Sequence, residues 1–410
     1  MKVFIDASVA SASLRVFGME LVERLVRGVL IAGVAPTEIL VVRRADGPAP
    51  QLPASLLARV PTRVEPLGGA VGERLTELLR GAEPVLVVSG NAIVDSRVFG
   101  YLAGGEGAVA FAAGDATERT VVARLEPGTP CEGVVLGEVL DRLIAQGALV
   151  CEAPIEFETY LPMLRRDLGP YAFRVATEDA RRRIERFLFW SNYKGSTDFM
   201  TKYVYPPLVW LMVRPLARWR VHPNWVTAVD IVAAFAAVPF FALGAWVPGL
   251  LLGYLMTVLD SVDGKLARVT FTSSRLGEVL DHGLDIIHPP IWYLAWGWAL
   301  GDGQSGSPPF QAALLMLAIY TVDRIIAGIF KWRLGRSIHG YTPFDERMRT
   351  FISRRNVNLV LFTLALAVDG LLSDGGWPVA TGCWFAIVAW QSLCLVFHAQ
   401  RLVKFWGAAR

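Results

Sequence analysis

The chain has 410 residues, of which 53% are hydrophobic, a formal net charge of +3 and a mean hydropathy of +0.42. That length accommodates two domains, and the hydropathy is high for a purely soluble protein. So small a charge, with no basic tract and no zinc-ligand spacing, argues against a nucleic-acid binder.

The first 190 residues alternate apolar runs with charged and Gly/Pro-rich stretches. Lys2–Asp6 has the pattern of a buried strand. Gly18–Gly33, with Leu21, Leu25 and Val29 at helical spacing, predicts a helix, Glu38–Val42 a second strand, and Val85–Asn91 a strand ending in a turn. Alternating strands and helices predict a doubly wound α/β domain over 1–190. The apolar run after Met1 and Lys2 is too short for a signal peptide, so this half is expected in the cytoplasm. The cysteines, Cys131, Cys151, Cys383 and Cys394, are scattered and form neither a metal-ligand pair nor a disulfide framework.

Residues 197–220 mix Trp210, Leu211, Val213 and Leu216 with Arg214, Arg218 and Arg220, which predicts an amphipathic helix on the inner membrane surface. Six apolar segments follow within 221–405, at 223–243, 248–268, 277–300, 309–331, 356–373 and 377–399. Each is near the roughly 20 residues that a membrane-spanning helix needs. The connections Gly244–Pro248, Gly301–Pro309 and Asp369–Pro378 contain no Lys or Arg. The opposite side holds Arg268, Arg275, Lys331, Arg333, Arg336, Arg347, Arg349, Arg354 and Arg355, with Arg401, Lys404 and Arg410 after the last segment. This asymmetry places both termini in the cytoplasm.

The chemistry is carried by Asp260–Asp285, where the second segment ends and the third begins. Asp260 and Asp263 are three apart, and Asp281 and Asp285 are four apart, so each pair shares one helix face. A short connection turns the two helices antiparallel and lets the pairs face each other. Four carboxylates at membrane depth require partners. Mutual repulsion of hard oxygen donors favours a divalent cation, Mg2+, Mn2+ or Ca2+, and a bound pair of ions would clamp a diphosphate. Gly264 and Gly277 permit close approach to the backbone, and Arg268 suits a phosphate.

The pattern D-x2-D-G-x2-A-R-x8-G-x3-D-x3-D, filled by Asp260, Asp263, Gly264, Ala267, Arg268, Gly277, Asp281 and Asp285, resembles the signature of CDP-alcohol phosphotransferases. Pro223, Asn224 and Thr227 resemble the family's first-helix start, and the resemblance covers about 197–402. It implies a six-span integral membrane enzyme of the inner or plasma membrane. Such an enzyme moves a substituted phosphate from a CDP-alcohol, of CDP-diacylglycerol or CDP-inositol type, to an acceptor hydroxyl and releases CMP. Asp260, Asp263 and Asp281 would bind two ions, with Asp285 sharing one and acting as general base. Thr227, Asp260, Gly264, Ala267, Arg268 and Gly277 would face the nucleotide. Arg324, inside the fourth segment, with Lys331 and Arg333 after it, is read either as a basic pocket for a phosphorylated acceptor or as local pairing and membrane anchoring. Family members are commonly homodimers.

The first 190 residues resemble the sugar-nucleotide-transferase-like domain fused to such enzymes in bifunctional inositol-phosphate cytidylyltransferase/di-inositol-phosphate-phosphate synthases. The join Lys194–Asp198 resembles theirs too. Yet Asp6–Ser13 replaces the Gly-rich basic nucleotide loop, and Asn91 stands where a metal-binding Asp is expected, with Asp95 further on. A catalytically degenerate domain is therefore expected. An active cytidylyltransferase there, and a transporter with an acidic metal site, are the competing readings.

Overall fold

The computed structural model describes residues 1–111, 120–152, 159–161, 164, 166–195, 197–373 and 375–409; the side chains of Glu152, Asp281, His282, Ala408 and Ala409 fall outside that description.

The N-terminal region is built on a seven-stranded sheet. Its central strand, Lys2–Ala7, lies between Glu38–Arg43 and Val85–Ser89, parallel to both, with Ile5 level with Val41 and Val88. Thr62–Pro66 extends one edge in parallel. On the other side Val122–Leu125 runs antiparallel to both Val85–Ser89 and Val109–Phe111, and Val150–Glu152 closes that edge. The continuous apolar runs follow from burial on both faces. One face is covered by α1 (Leu21–Ile31) and α4 (Ser96–Gly104), around Val26, Val29 and Phe99. The short α2 (Ala54–Leu57) adds Leu56 to this layer. The other face is covered by α3 (Val71–Leu78) and α5 (Leu136–Ala145), around Leu75, Val139 and Leu140. The expected strands and helix are present, and the sheet is mixed because Val122–Leu125 enters antiparallel.

α6 (Glu178–Ser191) leads, through a π turn at Met200–Val204, to α7 (Pro206–Arg218). α7 buries Val209, Val213 and Ala217 and exposes Leu208 and Leu211. The helical region follows as α8 (Pro223–Ala242), α9 (Trp246–Val269), α10 (Arg275–Leu300), α11 (Pro308–Leu334), the short α12 (Pro343–Arg349), α13 (Arg355–Leu372) and α14 (Pro378–Phe405). The six long helices fall on the six expected segments. Four of them, α8, α11, α13 and α14, are long and apolar enough to cross a membrane. α9 and α10 have the length, 24 and 26 residues, but carry the acidic motif, and α10 also contains His288, Pro289 and Pro290.

The bundle core is aromatic. Trp296 stacks on Phe362 with ring centroids 4.3 Å apart, and Trp292 Nε1 donates to the Ala234 carbonyl at 2.8 Å. Gly297 lets α10 and α11 touch, since a Cβ there would lie 2.5 Å from that of Ala313.

A third core joins the two regions. Phe17, Leu188 and Phe189 meet Val209 and Val213 of α7 and Leu259, Val262, Leu266 and Val269 of α9. Polar contacts lock this junction. Arg24 Nη1 donates to the Val269 carbonyl at 2.6 Å and its guanidinium lies over Phe271, while Glu23 pairs with Arg220 at 2.8 Å. Burial lowers the Arg24 pKa to about 10. Lys265, 2% exposed, donates to the Phe189 carbonyl at 3.2 Å and packs on the Tyr193 ring. Gly18 has φ +70°, and a Cβ on it would sit 2.5 Å from the Ala217 carbonyl oxygen. Gly18→Val is expected to lower stability by about 1–3 kcal/mol through overpacking and backbone strain, read as a lower unfolding temperature of the full chain in detergent.

Candidate active site

The site is assembled where α8, α9, α10 and α13 meet. Pro223 begins α8 behind the His222 cap, whose Nδ1 accepts the Asn224 amide. One turn on, the buried Thr227 hydroxyl donates to Asp263 Oδ2 at 2.6 Å, and the Gly264 amide donates to the other oxygen of the same carboxylate. Asp263 is thus held between α8 and its own helix. Asp260, one turn earlier on α9, points to the same face.

Asp285 lies on α10, facing α13. Its backbone carbonyl has lost its helical donor, because the residue four positions on is Pro289. The Tyr320 hydroxyl of α11 donates to that carbonyl at 2.9 Å instead. A proline pair in mid-helix is thereby tied to the wall of the site.

At the centre stands Arg355, the first residue of α13. One terminal nitrogen donates to Asp260 Oδ2 and the other to Asp285 Oδ1, both at 2.6 Å. The nitrogen that serves Asp285 also lies 3.1 Å from His288 Nε2. His288 is fully buried, and its Nδ1 faces the Leu284 carbonyl. The hydrogen-bond network therefore assigns the proton to Nδ1 and leaves Nε2 to accept from the guanidinium. The start of α13 is fixed in turn by Asn356, which donates to Thr201 at 3.2 Å, and by Asn358, which donates to the Tyr293 hydroxyl at 2.9 Å.

Gly264, Ala267 and Arg268 form a partly exposed face on the last turns of α9. The Arg268 guanidinium crosses Gly264, where a Cβ would lie 3.3 Å from it. Gly277 accepts its position from the Ser274 cap and packs against Asn224 Oδ1, 3.1 Å from where its Cβ would be. Thr227, Asp260, Asp263, Gly264, Ala267, Arg268, Gly277 and Asp285 thus share one end of the bundle. Asp281 occupies its expected place on α10, one turn before Asp285, but its side chain lies outside the described residues.

The predicted acceptor residues do not gather in the same way. Arg324 pairs with Asp323 at 2.9 Å and lies over Tyr320, the residue bonded to Asp285. Asp323 also meets His398 across the bundle. Lys331 and Arg333 are exposed further along α11, and the Arg333 guanidinium packs on Trp406.

An all-carboxylate donor set suits a hard divalent cation. Among the described residues, no group of three or more His, Cys, Asp or Glu is drawn close enough to hold one. The guanidinium of Arg355 holds Asp260 and Asp285 to itself. What remains facing the cluster is Asp230 of α8, whose buried Oδ1 has no hydrogen-bond partner among the described residues. Reading the sequence missed three residues here. Arg355 and His288 contact the cluster directly, and Asp230 is the sole ionisable residue of α8. A lone charge inside an apolar helix was the available signal for Asp230.

Four of the long helices are long and apolar enough to cross a membrane, and Asp260, Asp263 and Asp285 come together at one end of the bundle. Residues 220–336, which contain all eight motif positions, match the model of the CDP-alcohol phosphatidyltransferase family. Archaetidylinositol phosphate synthase of Aeropyrum pernix is 41% identical over 78 residues, which are 19% of this chain and 40% of that protein. Human ethanolaminephosphotransferase 1 is 27% identical over 155 residues, 33% of this chain and 39% of that one. The chain therefore spans about two fifths of the length of these two relatives. The crystal structure of Mycobacterium tuberculosis phosphatidylinositol phosphate synthase with CDP-DAG bound is 21% identical, with a TM-score of 0.38, over 50% of this chain and 94% of that one.

In the presence of a chelator, Arg355→Met leaves two carboxylates without their shared donor and is expected to lower stability by about 1.5–3 kcal/mol. Thermal unfolding of the variant in EDTA, against the wild-type chain, checks this.

Proposed function

We propose that this protein is an integral membrane CDP-alcohol phosphotransferase, which transfers a substituted phosphate from a CDP-alcohol to an acceptor hydroxyl and releases CMP. The observation that carries this is the convergence of Asp260, Asp263 and Asp285 from two antiparallel helices onto one end of the bundle, inside the stretch that matches the family. In this reading α8, α9, α10, α11, α13 and α14 all cross the membrane, with both termini cytoplasmic, and α7 lies at the membrane surface. The chain would divide into a cytoplasmic domain over 1–190, a connecting helix over 197–220 and a membrane domain over 221–405.

Asp260, Asp263, Asp281 and Asp285 would hold the divalent ions, two of them, with Mg2+ the first choice and Mn2+ or Ca2+ alternatives. Bound there, they would offset charge on the phosphates. Asp285 takes the proton of the acceptor hydroxyl. The freed oxygen attacks the phosphorus that carries the alcohol group, a new P–O bond forms, and the bond to the CMP oxygen breaks. Gly264, Ala267, Arg268 and Gly277 offer an open face to the nucleotide. Arg355 fixes the direction of the Asp285 carboxylate. Arg324, joined to Asp285 through Tyr320, is the candidate contact for a phosphorylated acceptor; Lys331 and Arg333 are better placed as anchors. The donor is of CDP-diacylglycerol or CDP-inositol type, and a homodimer is the expected assembly.

The N-terminal region supports a degenerate nucleotidyltransferase reading. The Asp6 carboxylate is engaged by Ser8 and by the Leu136 amide, both at 3.0 Å. Asn91 is bonded to Ser89 and Ser11, and Asp95 is held by the Arg97 guanidinium at 2.6 Å. Both carboxylates, Asp6 and Asp95, are thus engaged within the chain.

Purified protein with Mg2+, a CDP-alcohol and candidate acceptors should release CMP. Asp285→Asn is expected to reduce that rate about 100- to 10,000-fold, whereas Asp95→Ala should leave it unchanged. Metal flux into liposomes without CMP from any donor would instead establish the transporter reading.

Sidedness is testable through the cysteines. Cys151 is exposed, whereas Cys131 is 5% exposed and burial pushes its thiol up to about 11. A membrane-impermeant maleimide at neutral pH should label Cys151 only in inside-out vesicles and leave Cys131 untouched. Labelling of Cys151 in right-side-out vesicles would reverse the topology.

A further inference from the structure

The antiparallel pair α8–α9 has a register that can be read from one bond. Thr227 Oγ1 donates to Asp263 Oδ2 at 2.6 Å, so positions 227 and 263 are level. One turn onward along α8 is position 230, and one turn back along α9 is position 260. Asp230 and Asp260 therefore stand opposite each other, on the faces that already carry Thr227 and Asp263.

Asp230 is 1% exposed, and its Oδ1 has no hydrogen-bond partner among the described residues. The remaining residues of α8 are uncharged, so the helix itself supplies no counter-ion. The charged groups that face Asp230 from the neighbouring helices are Asp260, Asp263, Asp285 and the guanidinium of Arg355. Both terminal nitrogens of that guanidinium are spent on Asp260 and Asp285. A buried carboxylate oxygen without a donor is poorly solvated, and three further carboxylates increase its need for positive charge.

We propose that Asp230, on the face of α8 that lies opposite Asp260 and Asp263, is a fifth carboxylate of the cation site and strengthens the hold on a hard divalent ion. This rests on the proposed reading of the aspartate cluster as a cation site, whose described carboxylates are not drawn close enough to hold an ion while Arg355 bridges Asp260 and Asp285. It extends the site onto a helix that the motif does not include. The count and charge of oxygen ligands set the affinity of such sites, so loss of one carboxylate has a direct readout in metal binding, independent of turnover.

The test uses the full chain in detergent, stripped of metal and titrated with Mn2+, with free Mn2+ followed by electron paramagnetic resonance. Asp230→Asn keeps the shape and removes the charge; Asp230→Ser, smaller and also neutral, is run in parallel in case the amide disturbs packing. Both variants are expected to bind Mn2+ at least about 10-fold more weakly than the wild-type chain, while their unfolding temperatures without metal equal or exceed the wild-type value. Wild-type binding with unchanged affinity in the folded variants overturns the role of Asp230 and leaves the proposed function standing. A wild-type chain that binds no Mn2+ overturns both.

Discussion

Like charges drawn together in a poorly solvated place must be offset, and the structure is organised around that constraint. The motif sets aspartates on α9 and α10. Arg355, from the start of α13, bridges Asp260 and Asp285 with its two terminal nitrogens. A guanidinium suits this task because its rigid fork serves two carboxylates at once and stays charged. The rest of the bundle holds the fork in place: Asn356 and Asn358 fix the first turn of α13, His288 accepts from behind, and Tyr320 ties down the backbone beside Asp285. The residues that make the cluster acidic and the residue that makes it tolerable lie 70 and 95 residues apart in sequence.

The same economy of contacts appears at the junction between the two regions. α9 carries half of the motif, and its last turns pack against the N-terminal region as well as the bundle. Arg24 caps its last carbonyl, Lys265 is enclosed by Phe189 and Tyr193, and Gly18 permits α7 to close over the seam. Arg24 and Lys265 are buried basic side chains without carboxylate partners in these contacts; carbonyl oxygens and aromatic faces receive them instead.

The six long helices and the motif residues were legible because they rest on local signals: apolar runs of spanning length, and charges spaced by one helical turn. The strands of the N-terminal region were legible for the same reason. Their order was not, because the antiparallel entry of Val122–Leu125 depends on pairing over long sequence separation, and its short run has no distinctive period. Arg355 looked like one more basic residue flanking a segment. Its place at the centre of the site arises only when α13 packs beside α9 and α10, 95 and 70 residues away in sequence. Asp230 sits outside the motif spacing, and its significance depends on the register of α8 against α9. Arg324 was open to two readings, and its bond to Asp323 makes local pairing part of the answer.

The shared core at the junction has a historical consequence. An enzyme domain that loses its own chemistry is ordinarily free to be deleted, because nothing else depends on it. Here, on the proposed reading, α9 uses the N-terminal region as part of its outer wall: Leu259, Val262, Leu266 and Val269 share a core with Phe17, Leu188 and Phe189, and Lys265 donates to the Phe189 carbonyl. On the proposed reading, a nucleotidyltransferase that no longer works has become a part the membrane enzyme cannot discard. Such a fusion behaves as a ratchet, with decay of the first activity permitted and separation of the two halves forbidden.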